Sequence, residues 1–256
     1  MTTHPQLVAF DLDGTLTESK SAMTPEMGAL LGNLLAHTPV AIMSGGAWHQ
    51  FEKQLLPALP QDANLASLFL FPVSAAQCYR FESGAWRAIY DHSFTPEERD
   101  RIMEALHGAI ETTHFELPEP HWGERIEDRG AQITLSALGQ QAPVDMKKVW
   151  DPDKQKRRPL YIELAARLPD MNVAMNAATS IDITHKGITK AYGIGELSRM
   201  TGISAPQMLY VGDALGPGGN DAVVIPTGVQ TRPVEGPIDT AHVISSLIPH
   251  TNSQTI

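Results

Sequence analysis

The chain has 256 residues, of which 42% are hydrophobic, and a formal net charge of −10. This length and apolar content are enough for a substantial buried core, built as one large domain or as a core with an inserted cap. The acidic charge disfavours a nucleic-acid partner, because the sequence shows no strongly basic region to offset it.

The lone cysteine, Cys78, cannot form an internal disulfide, which is typical of a reducing compartment. Residues 1–6 lack a basic segment followed by a long apolar stretch, and no run approaches the roughly 18 apolar residues of a membrane span. We therefore expect a cytoplasmic protein without a membrane partner.

The first apolar run, Leu7 to Phe10, leads directly into Asp11-Leu12-Asp13-Gly14-Thr15. The glycine predicts that the chain leaves extended geometry at Asp11 and turns through Gly14. In such a loop one carboxylate can attack a phosphorus atom while the other moves protons. A plain acidic turn after a strand is the alternative, because Asp and Gly are ordinary turn residues.

The same arrangement recurs twice. An apolar run at 40–43 ends in Ser44-Gly45-Gly46, and another at 208–211 ends in Gly212-Asp213. Short apolar runs bounded by glycine turns are typical of strands buried on both faces of a parallel sheet. Ligands of open α/β sheets bind beyond the carboxyl ends of the strands, so the three strand ends can supply one site.

Apolar spacing predicts the other elements. Helices are expected at 27–35, 48–56, 160–168 and 191–200, and strands at 68–71 and in a hairpin turning at Glu82-Ser83-Gly84. Thr95-Pro96-Glu97-Glu98 has the pattern of a capped helix start. Residues 133–136 alternate like a strand with one wet face, and residues 173–183 look extended.

These elements predict an α/β fold with a doubly wound, mostly parallel, Rossmann-like core sheet and an inserted α+β cap domain. We expect residues 1–90 and 184–256 to form the core, and residues 91–183 to form a cap that determines substrate specificity.

Four ordered segments of the sequence resemble the motifs of the haloacid dehalogenase-like phosphohydrolases. They are Asp11-Leu12-Asp13-Gly14-Thr15, Ser44-Gly45, Lys190, and Gly212-Asp213 with Asn220-Asp221. Within that superfamily, the resemblance from Leu7 to about Ile248 is to the eukaryotic-type phosphomannomutase branch, which carries an α/β cap. Its further carriers are Ile126-Glu127-Asp128-Arg129-Gly130, Ser180-Ile181-Asp182, Lys186-Gly187-Ile188-Thr189-Lys190 and the glycine-rich loop from Gly212 to Asp221.

The resemblance implies a phosphoryl transfer that proceeds through an aspartyl-phosphate. Asp11 would be the nucleophile, Asp13 the general acid and base, and Thr15 a support for the loop. Ser44, with the amides of Gly45 and Gly46, would bind the phosphate.

The resemblance also implies which residues neutralise negative charge and bind a metal ion. Lys190 would offset the charge between phosphate and nucleophile. A Mg²⁺ cofactor would be held by the Asp11 carboxylate, the Asp13 backbone carbonyl and Asp213. Asp221 would be a further ligand or would support the ligands from behind, and Asn220 would orient the loop.

The residues that could bind a second phosphate distinguish between two possible reactions. A mutase must grip a second phosphate, and arginine does this best because its planar guanidinium binds in a bidentate fashion. Of four arginine positions in related mutases, this chain keeps Arg129 and has Lys20, Gln140 and Lys147 at the others. Ser180 and Asp182 are retained and suit hydrogen bonding to sugar hydroxyls.

We therefore expect a Mg²⁺-dependent phosphatase acting on a sugar phosphate or a similar small phosphomonoester. A phosphomannomutase is the alternative, in which Lys20, Lys147 or the basic cluster 154–158 would supply the grip. We expect that cluster to be an exposed charged face. A non-catalytic sugar-phosphate sensor is a third reading, disfavoured because all the catalytic residue types remain. Related mutases dimerise through their caps, so the resemblance also implies a homodimer.

Overall fold

The computed structural model describes residues 4–18, 21–175 and 178–249 of the chain. The fold divides into two compact units, the first formed by residues 1–90 with 189–256 and the second by residues 91–188. Every helix within the described ranges is too short or too polar to cross a lipid bilayer.

The strands and helices of the described residues have the following bounds. The strands are β1 (Leu7–Asp11), β2 (Val40–Met43), β3 (Leu68–Phe71), β4 (Gln77–Glu82), β5 (Ala85–Asp91), β6 (Ile126–Asp128), β7 (Gln132–Ser136), β8 (Met171–Ala174), β9 (Ser180–His185), β10 (Met208–Gly212) and β11 (Gln230–Pro233). The helices are α1 (Pro25–Leu35), α2 (Trp48–Gln54), a one-turn segment α3 (Pro72–Ala75), α4 (Pro96–Thr112), α5 (Val144–Trp150), α6 (Arg158–Arg167), α7 (Lys190–Thr201) and α8 (Pro237–Leu247). Short 3₁₀ helices lie at Leu56–Ala58, Leu65–Ser67, Ala205–Gln207 and Ala222–Thr227.

The first unit is built on a seven-stranded sheet with the order β11-β10-β1-β2-β3-β4-β5. Neighbouring strands from β11 to β3 are parallel, and β4 is antiparallel to β3. In register, Asp11 pairs with Met43, and Met43 pairs with Phe71. The carboxyl ends of β1, β2 and β3 therefore lie at one edge of the sheet, which confirms the predicted α/β class.

Strand β1 shows why these apolar runs become central strands. All five of its residues are buried, and the four apolar ones alternate between two hydrophobic clusters. Val8 and Phe10 pack into the cluster that contains α1 and α8, whereas Leu7 and Ala9 pack into the cluster that contains α7. Because successive side chains point to opposite faces, a continuous apolar run is what a sheet covered on both faces requires.

The second unit contains a four-stranded antiparallel sheet with the order β6-β7-β9-β8. The isoleucines and leucines of β7 and β9 pack against α4 and α6. The prediction of one wet face on β7 is wrong, because all five of its residues are buried. The polar side chains Gln132 and Thr134 are satisfied instead by a chain of hydrogen bonds that ends on Asp182.

The structure also tests the predicted extended segment, the predicted helix start at Thr95 and the four predicted helices. The prediction of one extended segment at 173–183 is wrong in part, since β8 and β9 are separate strands paired antiparallel. The capped helix start is confirmed at α4. There the Thr95 hydroxyl accepts from the Glu98 amide at 3.2 Å, and the Glu98 carboxylate accepts from the Thr95 amide at 2.9 Å. The four predicted helices are confirmed within two residues at each end as α1, α2, α6 and α7.

Candidate active site

The loop that follows β1 is a tight turn. The carbonyl of Leu12 accepts hydrogen bonds from the amides of Leu16 and Thr17, each at 3.0 Å. Gly14 sits in this turn with a φ of +85°, and a Cβ at its position would lie 2.5 Å from Asp213 Oδ2. Only glycine fits such a conformation and such a close approach. Asp13 is partly buried in the same turn.

Three carboxylates from two separate segments meet at the sheet edge. Oxygens of Asp11, Asp213 and Asp221 all lie within 4.8 Å of one another. Asp11 and Asp221 are buried, whereas Asp213 is exposed. Thr15 links the two segments, because its hydroxyl oxygen accepts from the backbone amide of Asp213 at 3.1 Å. The predicted acidic residues of the first and last motifs are therefore brought together.

Lys190, the first residue of α7, reaches into this carboxylate cluster and is buried. Its ammonium group donates to Asp11 Oδ1 and, at 2.6 Å, to Asp221 Oδ1. Burial alone would lower the pKa of Lys190, but the negative charge of Asp11 and the nearby Tyr210 and Asp221 hold that pKa well above its ordinary value. Lys190 is therefore a permanent cation here.

Asp221 is committed to several donors. Besides Lys190, its Oδ1 accepts from the Tyr210 hydroxyl at 2.6 Å, and its Oδ2 accepts from the Ala214 amide at 3.1 Å. A Cβ on Gly212 would lie 2.4 Å from Asp221 Oδ2, so glycine is needed at the end of β10. Asp221 thus anchors both Lys190 and the loop that carries Asp213.

Tyr210 is a residue of this site that the sequence reasoning treated only as part of an apolar strand. Its ring is buried in β10, and its hydroxyl contacts Asp221. The available signal was a phenol inside a fully buried strand two residues before Gly212, since a buried tyrosine hydroxyl normally needs a partner.

The electrostatics of the cluster are unbalanced. Burial raises the pKa of Asp11 to about 7, Lys190 opposes the shift, and the charges of Asp221 and Asp213 add to it. Desolvation and the charge of Asp221 also raise the pKa of Asp213. Among the described residues, three carboxylates lie within 4.8 Å of one another, and one ammonium group donates to two of them. Such a set of hard oxygen donors with excess negative charge fits a cation of the Mg²⁺ type.

Ser44 follows β2 at the same sheet edge and is buried. Its hydroxyl oxygen accepts from the Gly46 amide at 3.0 Å, and its own amide donates to the carbonyl of Phe71 at 3.1 Å. Because a hydroxyl carries one hydrogen besides its acceptor sites, the Ser44 O–H is left as a donor. Gly45, between them, is partly buried.

Asn220 lies in the loop between Asp213 and Asp221, and its side chain is exposed. The loop is tight, since a Cβ on the neighbouring Gly219 would lie 1.9 Å from the carbonyl of Ala214. A role for Asn220 in orienting this loop stays a prediction.

The candidate substrate-binding residues of the second unit make hydrogen bonds to neighbouring groups. The Arg129 guanidinium donates to Glu127 at 2.7 Å, and the Lys147 ammonium donates to the carbonyl of Gln140 at 2.9 Å. Asp182 is buried in β9 and accepts from the Thr134 hydroxyl at 2.9 Å. Lys20 lies outside the described residues.

The basic cluster 154–158 is not wholly the exposed face that we expected. Arg157 is 1% exposed and forms an ion pair with Asp151 at 2.7 Å. A second guanidinium nitrogen of Arg157 donates to the carbonyl of Ser180 at 2.6 Å. The expectation of an exposed face is therefore wrong for Arg157, because a buried carboxylate lies six residues earlier to neutralise it.

Comparisons with known proteins agree with this geometry. The family model described as haloacid dehalogenase-like hydrolase matches residues 134–221. A probable phosphomannomutase of Caenorhabditis elegans is 24% identical over 257 residues, which cover 94% of this chain and 95% of that protein.

Two solved structures share the fold. The N-terminally truncated, IMP-bound IMP-nucleotidase of Plasmodium falciparum has a TM-score of 0.69 at 13% identity, covering 96% of this chain and 68% of that one. A haloacid dehalogenase-like hydrolase of Bacteroides thetaiotaomicron has a TM-score of 0.66 at 17% identity, covering 95% of this chain and 99% of that one. The sequence resemblance is thus confirmed, since the chain is similar to the haloacid dehalogenase-like hydrolases over residues 134–221 and to a phosphomannomutase over 94% of its length.

Proposed function

We propose that this chain is a Mg²⁺-dependent phosphatase that acts on a sugar phosphate or a similar small phosphomonoester through an aspartyl-phosphate at Asp11. The observation that carries the proposal is the convergence of the Asp11, Asp213 and Asp221 carboxylates, two of which, Asp11 and Asp221, accept from the buried Lys190 ammonium group. Phosphoryl transfer depends mainly on positioning and on neutralising negative oxygens, and this cluster offers both.

The first step forms a bond between an Asp11 carboxylate oxygen and phosphorus as the bond from phosphorus to the ester oxygen breaks. Asp13 donates its proton to the departing ester oxygen, so that the product is a neutral alcohol. Lys190 supports this step by favouring the ionised form of Asp11, because its contact with Oδ1 opposes the rise in the Asp11 pKa that burial causes.

The second step releases inorganic phosphate. Asp13, now a carboxylate, removes a proton from water, and the water oxygen attacks the phosphorus atom of the aspartyl-phosphate. The bond from Asp11 to phosphorus breaks, and the carboxylate is restored. The Ser44 O–H and the amide of Gly45 bind the phosphoryl oxygens during both steps, and the amide of Gly46, which donates to Ser44 Oγ at 3.0 Å, orients that hydroxyl.

Mg²⁺ would be held by Asp11, Asp213 and the backbone carbonyl of Asp13. When bound, it would neutralise negative charge on the carboxylates and on the phosphoryl group. Asp221 accepts hydrogen bonds from Lys190, Tyr210 and Ala214, which supports an anchoring role over that of a direct ligand.

The sugar would be recognised by residues of the second unit, which we propose as the specificity domain over about residues 91–183. Ser180 and Asp182 lie two residues apart on β9 and so share one face of the strand. The Asp182 carboxylate uses Oδ1 to accept from Thr134 and has further lone pairs for a sugar hydroxyl.

The contacts and charges of the candidate residues for binding a second phosphate favour hydrolysis over mutase chemistry. Arg129 is paired with Glu127, and Lys147 donates to a carbonyl of its own segment. Gln140 carries no charge. These groups are poor candidates for a grip on a second phosphate, so water is the acceptor that we propose.

A phosphomannomutase is the second candidate, because the relative from Caenorhabditis elegans carries that name and aligns over 94% of this chain. The test is incubation with mannose 1-phosphate, Mg²⁺ and a hexose bisphosphate activator. Isomerised hexose phosphate without net phosphate loss would establish the mutase. Free phosphate without mannose 6-phosphate supports the phosphatase.

The decisive experiment for the proposal is a phosphate-release screen over hexose phosphates, with and without Mg²⁺, using the wild type, Asp11→Asn and the control Asp62→Asn. Asp62 is an exposed aspartate outside the cluster. We expect Mg²⁺-dependent release by the wild type and the control, and none by Asp11→Asn. Undiminished release by a folded Asp11→Asn protein would refute the nucleophile and, with it, the mechanism.

We also propose a homodimer formed through the second unit. Helix α5 exposes Met146 and Val149, three residues apart on one side of the helix, to 44% and 71%, which gives an apolar patch that a second copy could cover. Light scattering should give twice the chain mass for the wild type and one chain mass for Val149→Glu. One chain mass for the wild type would rule out this dimer.

A further inference from the structure

A short segment beside the Ser44 turn has an unusual backbone. Three consecutive residues of α3, Val73, Ser74 and Ala75, have positive φ angles of 52°, 54° and 71°. Residues other than glycine rarely adopt this left-handed conformation, and a β-branched valine does so least of all. Such strain persists only where the surroundings enforce it, and it is concentrated at functional sites.

The surroundings that enforce the strain belong to the candidate active site. The Val73 amide donates to the carbonyl of Gly46 at 2.9 Å, and the Ser74 amide donates to the carbonyl of Ser44 at 2.8 Å. On the other side, Ala75 packs on helix α7 so closely that a Cβ on Gly193 would lie 2.8 Å from Ala75 Cβ. The segment is therefore held between the Ser44 turn and the helix that carries Lys190.

This conformation brings the Ser74 side chain over the Ser44 turn. A Cβ placed on Gly45 would lie 3.8 Å from Ser74 Oγ, which is ordinary contact distance. Ser74 is partly buried, and within the described ranges its hydroxyl makes no side-chain hydrogen bond. A donor group is thus held next to the proposed phosphate-binding amide, without a side-chain partner among the residues that the structure describes.

We propose that Ser74 is a further phosphate-binding residue, whose hydroxyl donates to a non-bridging phosphoryl oxygen held at the Ser44 turn. The left-handed backbone of 73–75 is what presents this hydroxyl to the turn. The proposal rests on the proposed function, because it requires a phosphate bound beside Asp11.

The test compares Ser74→Ala with Ser83→Ala in the full chain with Mg²⁺. Ser83 is a matched control, since it also has a positive φ, of 52°, but lies exposed in the turn between β4 and β5. The probes are p-nitrophenyl phosphate as substrate and inorganic phosphate as competitive inhibitor. We expect Ser74→Ala to raise the KM and the inhibition constant each about tenfold, with kcat within about threefold of the wild type. Ser83→Ala should leave all three values unchanged.

A second pair of variants separates binding from folding. Ser74→Gly relieves the backbone strain and also lacks the hydroxyl, so it should melt no lower than the wild type yet show the same tenfold rise in KM. Ser74→Asn tolerates the left-handed conformation and carries an amide donor, so it should recover most of the affinity. A folded Ser74→Gly protein with wild-type KM and phosphate inhibition would overturn the proposal.

The proposed function can fail separately. If Asp11→Asn retains phosphate release, the mechanism fails whatever the Ser74 variants do. If Asp11→Asn is inactive and the Ser74 variants bind phosphate normally, only the role of Ser74 is refuted.

Discussion

Each of the two units contains a buried charge cluster, and the two clusters differ in their balance. In the first unit, the carboxylates of Asp11, Asp213 and Asp221 lie together, and the ammonium group of Lys190 donates to Asp11 and Asp221. In the second unit, Asp151 and Arg157 form a pair in which one carboxylate meets one guanidinium at 2.7 Å. Counted over the described residues, the first cluster has more carboxylates than cationic groups, whereas the second has one of each.

The pKa shifts follow this difference. Burial raises the pKa of Asp11 to about 7 even though Lys190 opposes the shift. Burial acts on Asp151 in the same direction, but the Arg157 guanidinium and the amides of Lys156 and Arg157 outweigh it and lower the pKa of that carboxyl. A balanced pair therefore stabilises its own ionised form, while an unbalanced cluster is suited to bind a further cation. We infer that the first cluster takes part in catalysis and that the second stabilises the fold.

The largest expected effect is that of removing the cation from the unbalanced cluster. Lys190→Met keeps the length of the side chain but leaves Asp11 and Asp221 without their shared donor. We expect kcat for phosphate release to fall about 10³-fold, because an aligned charged group in a buried site is lost. Steady-state kinetics at saturating Mg²⁺ measures the change.

The control for this experiment is Lys53→Met, which removes an exposed lysine from α2. Its kcat should equal that of the wild type. Thermal melting adds a second readout, since Mg²⁺ should raise the melting temperature of Lys190→Met more than that of the wild type. A loss of kcat below about tenfold would contradict the central place of Lys190.

The balanced pair should respond in stability. Arg157→Met leaves Asp151 buried without its counter-ion, and we expect the free energy of unfolding to fall by about 3–5 kcal/mol. Arg101→Met is the matched control, because Arg101 forms an exposed bidentate pair with Asp170 in the same unit. Its cost should lie within about 1 kcal/mol. Urea denaturation measures both.

A double variant tests whether charge balance is the cause. In Asp151→Asn with Arg157→Met, both charges are removed, while the asparagine oxygen can still accept from the backbone amides that Asp151 binds. We expect it to recover at least half of the stability that Arg157→Met loses. A double variant no more stable than Arg157→Met would show that packing, and not charge, explains the loss.

The sequence was sufficient for much of the fold because local signals agreed with tertiary structure. Apolar runs such as Leu7 to Phe10 became strands buried on both faces, and the Thr95 capping box began a helix where expected. The sequence could not reveal that Thr134 on β7 is buried, since alternation of polar and apolar residues predicts a wet face. Only the partner strand, with Asp182 opposite Thr134, supplies the hydrogen bonds that permit that burial.

The candidate site was predictable to the same extent. The acidic residues could be placed at one sheet edge because parallel strands end together. Tyr210 and Ser74 could not be found this way. Their roles depend on contacts with Asp221 and with the Ser44 turn, which are remote in sequence. The buried Arg157 was hidden because four charged or polar neighbours at 154–158 made the whole cluster look exposed.

A smaller effect should come from reducing the excess negative charge. Asp213→Asn removes the exposed carboxylate, and we expect the Mg²⁺ concentration for half-maximal activity to rise about 30-fold or more. Without Mg²⁺, the same variant should melt slightly higher than the wild type, since desolvation and then repulsion from Asp221 raise the pKa of Asp213 and thus oppose its ionisation. Activity titrations and melting curves measure these changes. An unchanged Mg²⁺ requirement would remove Asp213 from the ligand set.

The smallest expected effect concerns the polar face of β9 in the second unit, where the Asp182 carboxylate accepts from the neutral Thr134 hydroxyl. Asp182→Asn preserves an oxygen that can accept from the Thr134 hydroxyl, so the free energy of unfolding should change by less than about 1 kcal/mol. If the carboxylate binds a sugar hydroxyl, the KM for a hexose phosphate should rise about tenfold, and the KM for p-nitrophenyl phosphate, which has no sugar, should stay the same. Equal changes for the two substrates would mean that Asp182 acts on the fold or on the phosphate and not on the sugar. The hydrogen-bond network of Gln132, Thr134 and Asp182 would then have a structural role, like the one that we infer for the pair of Asp151 and Arg157.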